Sequence, residues 1–149
     1  MTAPAARFAA VSAALLATHE VADHIVQTNS QALAKGLPGR DGRVACAAHV
    51  AGYVATQAVG LAVLDHTLGL GLNWRRAALA LAVSGATHYA IDRNATHWAE
   101  TGPGAPLLVR AAHAIGKGGW LTHDPQGPYR YDQALHKGVL AVASFIAAR

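Results

Sequence analysis

Cysteine is nearly absent from this chain, and charged and aromatic side chains are scarce. The single Cys46 excludes an intramolecular disulfide and a zinc site built on cysteine alone, so any metal must rely on nitrogen and oxygen ligands. Charged residues make up 13% of the sequence, about half the usual share, which leaves little to solvate a large surface. Aromatics, at 6%, are too few for a large aromatic core. Although the formal charge is +4, no basic run is interleaved with aromatics, so the chain lacks the outline of a nucleic-acid groove. Alanine is abundant within a 52% hydrophobic composition that excludes disorder. Histidine is the other excess, with nine in 149 residues, a length suited to one domain.

The apolar stretches are alanine-rich and longer than strands, with little alternation of β-branched and aromatic residues, so the fold class is all-α. The reading is a four-helix bundle, embedded in the cell membrane as a multi-pass protein. Its helices are expected over residues 5–27, 43–65, 74–97 and 131–148, with Asn73 as N-cap of the third. Glycine and proline around residues 35–42 predict a loop, and a long Gly/Pro-rich loop, broken only by a brief helix near 107–115, is expected before the last helix. Residues 44–64 carry no formal charge, and at about 1.5 Å per residue they reach the roughly 30 Å of a bilayer's hydrocarbon core. The other uncharged runs are shorter, and their polar interruptions at His19, Asp23, His88 and Asp92 are expected to face the bundle interior. Lys35, Arg40, Arg43, Arg93, Arg110, Lys117 and Arg130 all fall in the connections after helices one and three, which places that end in the cytoplasm. Arg7 before residues 8–17 has the outline of a secretory signal, but Leu15 and Ala17 do not supply the small-x-small cleavage pattern.

The chemistry sits in repeated pairs. His19 and Asp23, His88 and Asp92, and Asp132 and His136 are each four apart, so each pair shares one helix face. Glu20 with His24 makes a fourth pair where composition alone predicts about one. His49 stands alone in the uncharged helix. Converging carboxylates repel unless cations lie between them, so His19, Asp23, His49, His88, Asp92, Asp132 and His136 are expected to form a divalent metal site for zinc, iron or manganese. The ligands would suffice for two ions. Ferritin-like di-metal bundles place a histidine three residues after a glutamate, whereas the pairs here are four apart, so this is not that family. Gln27, Thr28 and Gln133 are candidates to orient a ligand, and His123-Asp124 reads as a metal-hydrolase dipeptide before Pro125. His66, His97 and His113 are read as having no acid at helical spacing and as loop or interface residues. Ser12, Ser84 and Ser144 lack a nucleophile-elbow context, and neither common phosphate-cradling glycine loop is present.

The motifs His19-Glu-Val-Ala-Asp23-His-Ile-Val-Gln27-Thr28, Lys35, His49, Thr87-His88-Tyr-Ala-Ile-Asp92-Arg93 and Asp132-Gln133-Ala-Leu-His136 resemble the small bacterial and phage membrane proteins grouped as domain of unknown function family 3307, in particular its actinobacterial members. Many members carry an aromatic residue where this chain has His24. The resemblance implies an integral membrane protein in contact with lipid, and supplies no reaction. Three functions follow from the residues: a metal-dependent hydrolase of a lipid-linked or membrane-delivered substrate, a conductor of ions or protons, or a helical interaction protein whose polar pairs only set register.

Overall fold

The computed structural model describes residues 3–149 and is built from helices, with no strand among the described residues. Four long helices, α1 (Pro4–Val21), α3 (Gly39–Leu68), α4 (Trp74–Asp92) and α7 (Gly127–Ala147), are accompanied by three short ones, α2 (Asn29–Ala34), α5 (Leu107–Ala112) and α6 (Gly118–His123). The all-helical class is as expected, but the described residues form seven α-helices rather than four, with the four long ones making the bundle. Each long helix packs on two others, α1 on α3 and α7, and α4 on the same two. Arg7 Nη1 donates to the Ala148 carbonyl at 3.4 Å, so the chain's ends meet at one end of an up-down-up-down bundle.

Local chemistry explains where the helices differ from expectation. The first α-helix stops at Val21 rather than Gln27, because residues 22–26 open into a π turn in which Gln27 N–H donates to the Ala22 carbonyl at 2.9 Å. Thr28 and Gln31 then form a reciprocal capping box that starts α2 between the end of the expected first helix and the expected loop. Residues 39–42, also expected as loop, form the first turn of α3. Gly42 is required there, since a Cβ would lie 1.9 Å from the Leu37 carbonyl oxygen. At the far end, α3 runs on to Leu68 and stops on Gly69, whose φ of +58° suits a left-handed cap. Asn73 Oδ1 accepts from Arg75 and Arg76 N–H and starts α4 as expected.

The third long helix ends at Asp92, five residues early, where the Asn94 amide turns back to the Ala90 carbonyl at 2.7 Å. The expected long loop holds the brief helix foreseen near 107–115 as α5 and, beyond expectation, α6, with Gly116 at a φ of +85° between them. The last helix begins at Gly127 with Pro128 in its first turn, four residues earlier than expected.

Packing divides the bundle by height. Val11, Leu15, Leu61, Leu81, Leu140 and Ala143 fill the end that holds the termini. Ile91, Trp98, Val109 and Leu121 form a second apolar cluster under α5 and α6. Between them the core is polar, with His19, His49, Gln57, Ser84, His88, Asp92, Asp132, Gln133 and His136 buried. The outside is the reverse, since Leu16, Val59, Val63, Leu79, Val142 and Phe145 are exposed on the four long helices.

Among the described residues, α3 is the only helix long and apolar enough to cross a membrane. Only 22% of its apolar window is buried inside the protein, unlike a soluble core helix. Length and composition alone therefore do not extend the spanning test to the other three.

Candidate metal centre

Each long helix turns one buried stripe inward, and the site is where the stripes meet at the same height. On α3 the stripe runs Gly42, Cys46, His49, Tyr53, Gln57 and Leu61; on α4 it includes Ser84, His88 and Asp92. These are three- and four-residue steps along a helix face. On α7, Asp132, Gln133 and His136 precede the apolar Leu140, and on α1 His19 follows Val11 and Leu15. Asp23 lies in the π turn, whose wider path changes the direction in which a side chain projects.

The seven candidate side chains come together, each within 3.6 Å of another. His49 Nε2 and His88 Nε2 are 2.9 Å apart. Asp92 Oδ2 lies 3.3 Å from both nitrogens, and Asp23 Oδ1 lies 3.4 Å from both. The other oxygen of Asp92 serves a second group, in which His136 Nε2 is 3.4 Å from Asp92 Oδ1 and 3.3 Å from Asp132 Oδ2. Asp92 is therefore placed as a bridge between two donor sets. His19 sits at the edge, with Nδ1 3.6 Å from Asp23 Oδ2 and Nε2 donating to Gln133 Oε1 at 3.0 Å.

These spacings also fit shared coordination of one ion. Two donors held at about 2.0–2.1 Å from one ion, at angles between roughly 90° and 110°, stand about 2.9–3.4 Å apart. Asp23 Oδ1, both oxygens of Asp92 and His136 Nε2 are buried without an aligned hydrogen-bond partner, although Lys35 Nζ is 2.9 Å from Asp92 Oδ1. Leaving such groups unpaired costs about 1–3 kcal/mol each, and more when they are charged. A divalent cation removes that cost and the repulsion among the carboxylates. The buried His/Asp groups could hold a metal ion.

A supporting shell fixes the donors. Trp98 Nε1 donates to Asp132 Oδ1 at 3.0 Å, leaving Oδ2 for the centre. The Tyr53 ring stacks on His88 with centroids 3.8 Å apart. Its hydroxyl joins a closed triangle: Gln57 Nε2 donates to Tyr53 Oη at 2.8 Å, Tyr53 Oη pairs with Ser84 Oγ at 3.0 Å, and Ser84 Oγ donates to Gln57 Oε1 at 2.9 Å.

Tyr53, Gln57, Ser84 and Trp98 were not foreseen as site residues. The first three were legible as continuations, at four-residue steps, of the His49 and His88 faces. Trp98 gave no such signal, because its partner is 34 positions away.

The remaining candidates lie outside the centre. His24 bonds Tyr129 Oη at 2.8 Å at the surface, and Glu20 pairs with Lys137 at 2.9 Å. His97 was expected to lack an acid partner; its Nδ1 is 2.6 Å from Glu100 Oε1, three residues on, and Nε2 donates to the Gly36 carbonyl. His113 donates to the Trp98 carbonyl. The His123-Asp124 dipeptide shapes the turn into α7: Asp124 accepts from Gln126 N–H and Trp120 Nε1, which together hold its carboxyl below the usual range.

A cleft of about 360 Å³ opens beside the centre, lined among others by Asp23, Gln27, Lys35, Tyr129, Asp132 and Gln133. Two candidate ligands thus face solvent-accessible space, while His49, His88 and Asp92 lie behind them. No family model, curated protein or solved structure matches this chain.

Proposed function

We propose that this protein is a membrane-embedded, metal-dependent hydrolase whose centre would hold two divalent ions in donor sets that share Asp92. The observation that carries the reading is the division of the Asp92 carboxylate, with Oδ2 facing His49 and His88 and Oδ1 facing His136. His49, His88, Asp23 and Asp92 would hold one ion. Asp92, Asp132 and His136 would hold the other, beside the cleft that Asp132 lines. Zinc, iron and manganese all suit mixed imidazole and carboxylate ligands.

A bound divalent ion supplies Lewis acidity and makes a water nucleophilic near neutral pH. The chain's own residues supply the rest. Asp23 lines the cleft, and its Oδ2 lies outside the His49–His88 donor set, beside His19 Nδ1. Asp23 and His19 are thus the pair positioned to take up a proton, and Gln133 fixes the His19 tautomer by accepting from Nε2. Conduction is a weaker reading: beyond the Tyr53–Gln57–Ser84 triangle the core is closed by Leu15, Leu61, Leu81 and Leu140.

Membrane embedding is supported by the apolar exterior around a polar core and by the exposed apolar face of α3. If α3 spans, its packed neighbours α1, α4 and α7 would accompany it, and the basic connections favour a cytoplasmic metal end. The motif resemblance to family 3307 supports the same topology. The test is elemental analysis of protein purified in detergent without chelator, coupled to membrane fractionation. At least one equivalent of a transition metal and recovery with the membranes are expected. Metal-free protein overturns the centre, and recovery in the soluble fraction overturns the embedding.

A further inference from the structure

We propose that the cleft beside the centre binds a phosphoryl group, recognised by Lys35 and Gln27; the inference rests on the metal-dependent reading above. Lys35 is held in place for this role. Arg93 donates through Nη1 to the Lys35 carbonyl and through Nη2 to the Leu37 carbonyl at 2.8 Å, while His97 Nε2 donates to the intervening Gly36 carbonyl at 3.0 Å. Three consecutive carbonyls are thus anchored to the turn that follows Asp92. The turn also fits closely, since a Cβ on Gly36 would lie 2.6 Å from Thr96 Oγ1. The anchored segment delivers Lys35 Nζ to 2.9 Å from Asp92 Oδ1, on the open side of the centre, where it lines the cleft.

Across the same cleft, Gln27 follows the π turn, and its Nε2 is buried with no hydrogen-bond acceptor. An amide donor beside an ammonium and a metal centre calls for an anionic oxygen-rich ligand. Charge narrows the class. Asp23, Asp92 and Asp132 would face two divalent ions and the Lys35 ammonium, leaving two positive charges in excess. A phosphomonoester brings about −1.5 to −2 at neutral pH and so balances them, whereas a carboxylic ester or amide brings no charge.

The phosphoryl group could belong to a soluble ester or to a lipid headgroup. Ile25 and Leu33, each 76% exposed on the segments flanking Gln27, are suited to contact acyl chains.

The test uses the full chain in detergent, loaded with zinc, and follows calorimetric binding of inorganic phosphate, glycerol phosphate, and vesicles of phosphatidylcholine with or without phosphatidic acid. Wild type is expected to bind inorganic phosphate. Lys35→Met and Gln27→Leu should each weaken binding by about tenfold or more while zinc content stays at the wild-type level. Lys35→Arg, which keeps the charge, should restore most of the affinity lost in Lys35→Met.

Lys35-dependent binding of glycerol phosphate points to a soluble ester, and Lys35-dependent binding confined to phosphatidic acid points to lipid. Zinc-loaded wild type that ignores every phosphate probe, or variants that bind as wild type does, overturns the phosphoryl inference and leaves the metal centre standing. Wild type that retains no zinc overturns the centre itself.

Discussion

The two ends of this bundle are made by the same four helices with opposite cores. Toward the termini, Val11, Leu15, Leu61, Leu81 and Leu140 meet between small alanines, and apolar burial alone accounts for the packing. One to two helical turns away, the same stripes change to His19, Gln57, Ser84, His88 and His136, and packing leaves buried polar atoms unpartnered. The apolar end leaves only scattered polar atoms unpartnered, Arg7 Nε and Ser12 Oγ, whereas the polar end gathers converging imidazoles and carboxylates that could hold a cation. Structural capacity and chemical capacity are therefore separated along the bundle axis, which means that they can be damaged independently.

The sharpest test of that separation is Asp92→Ala, which removes the group common to both donor sets. Metal content should fall to background, with a destabilisation of about 3–5 kcal/mol from the charges and imidazoles left unpaired. Elemental analysis and denaturant titration measure the two effects, and metal retained at the wild-type level would contradict the bridging role. Leu61→Ala, at the other end, should cost about 2–5 kcal/mol through its cavity and leave metal content unchanged. A loss of metal there would show that the two ends are coupled.

Trp98→Phe removes the hydrogen bond to Asp132 Oδ1 and should weaken metal binding by about 10–100-fold, read by competition with a chromogenic chelator. Unaltered affinity would mean that Asp132 needs no support. The smallest effect is expected for Tyr53→Phe, which keeps the ring on His88 and breaks the hydroxyl triangle. Stability should drop by about 1–2 kcal/mol with metal bound as before, by thermal denaturation and elemental analysis respectively.

Much of this was legible because helical period is a local property. His88 and Asp92, or Asp132 and His136, are placed on one face by 3.6 residues per turn whatever surrounds them. The limits of the helices were less legible. Asp92 ends α4 through an Asn94 back-bond and α3 starts inside a glycine-rich segment, both decided by interactions that composition does not weigh. Lys35 illustrates the gap most clearly: its place over Asp92 depends on Arg93 and His97, more than 55 positions away, gripping the backbone around it.

From the order of residues alone follow an all-helical chain, three histidine–aspartate pairs at helical spacing with a lone His49 beside them, and one segment apolar enough for a membrane, since each depends on neighbours within a few turns. Only the tertiary structure decided that the four stripes meet at one height, that Asp92 divides its oxygens between two donor sets, and that His19 stands at the edge. Register between helices arises from side chains distant in sequence, and a displacement of one turn, about 5.4 Å, would have parted the donors without altering any helix.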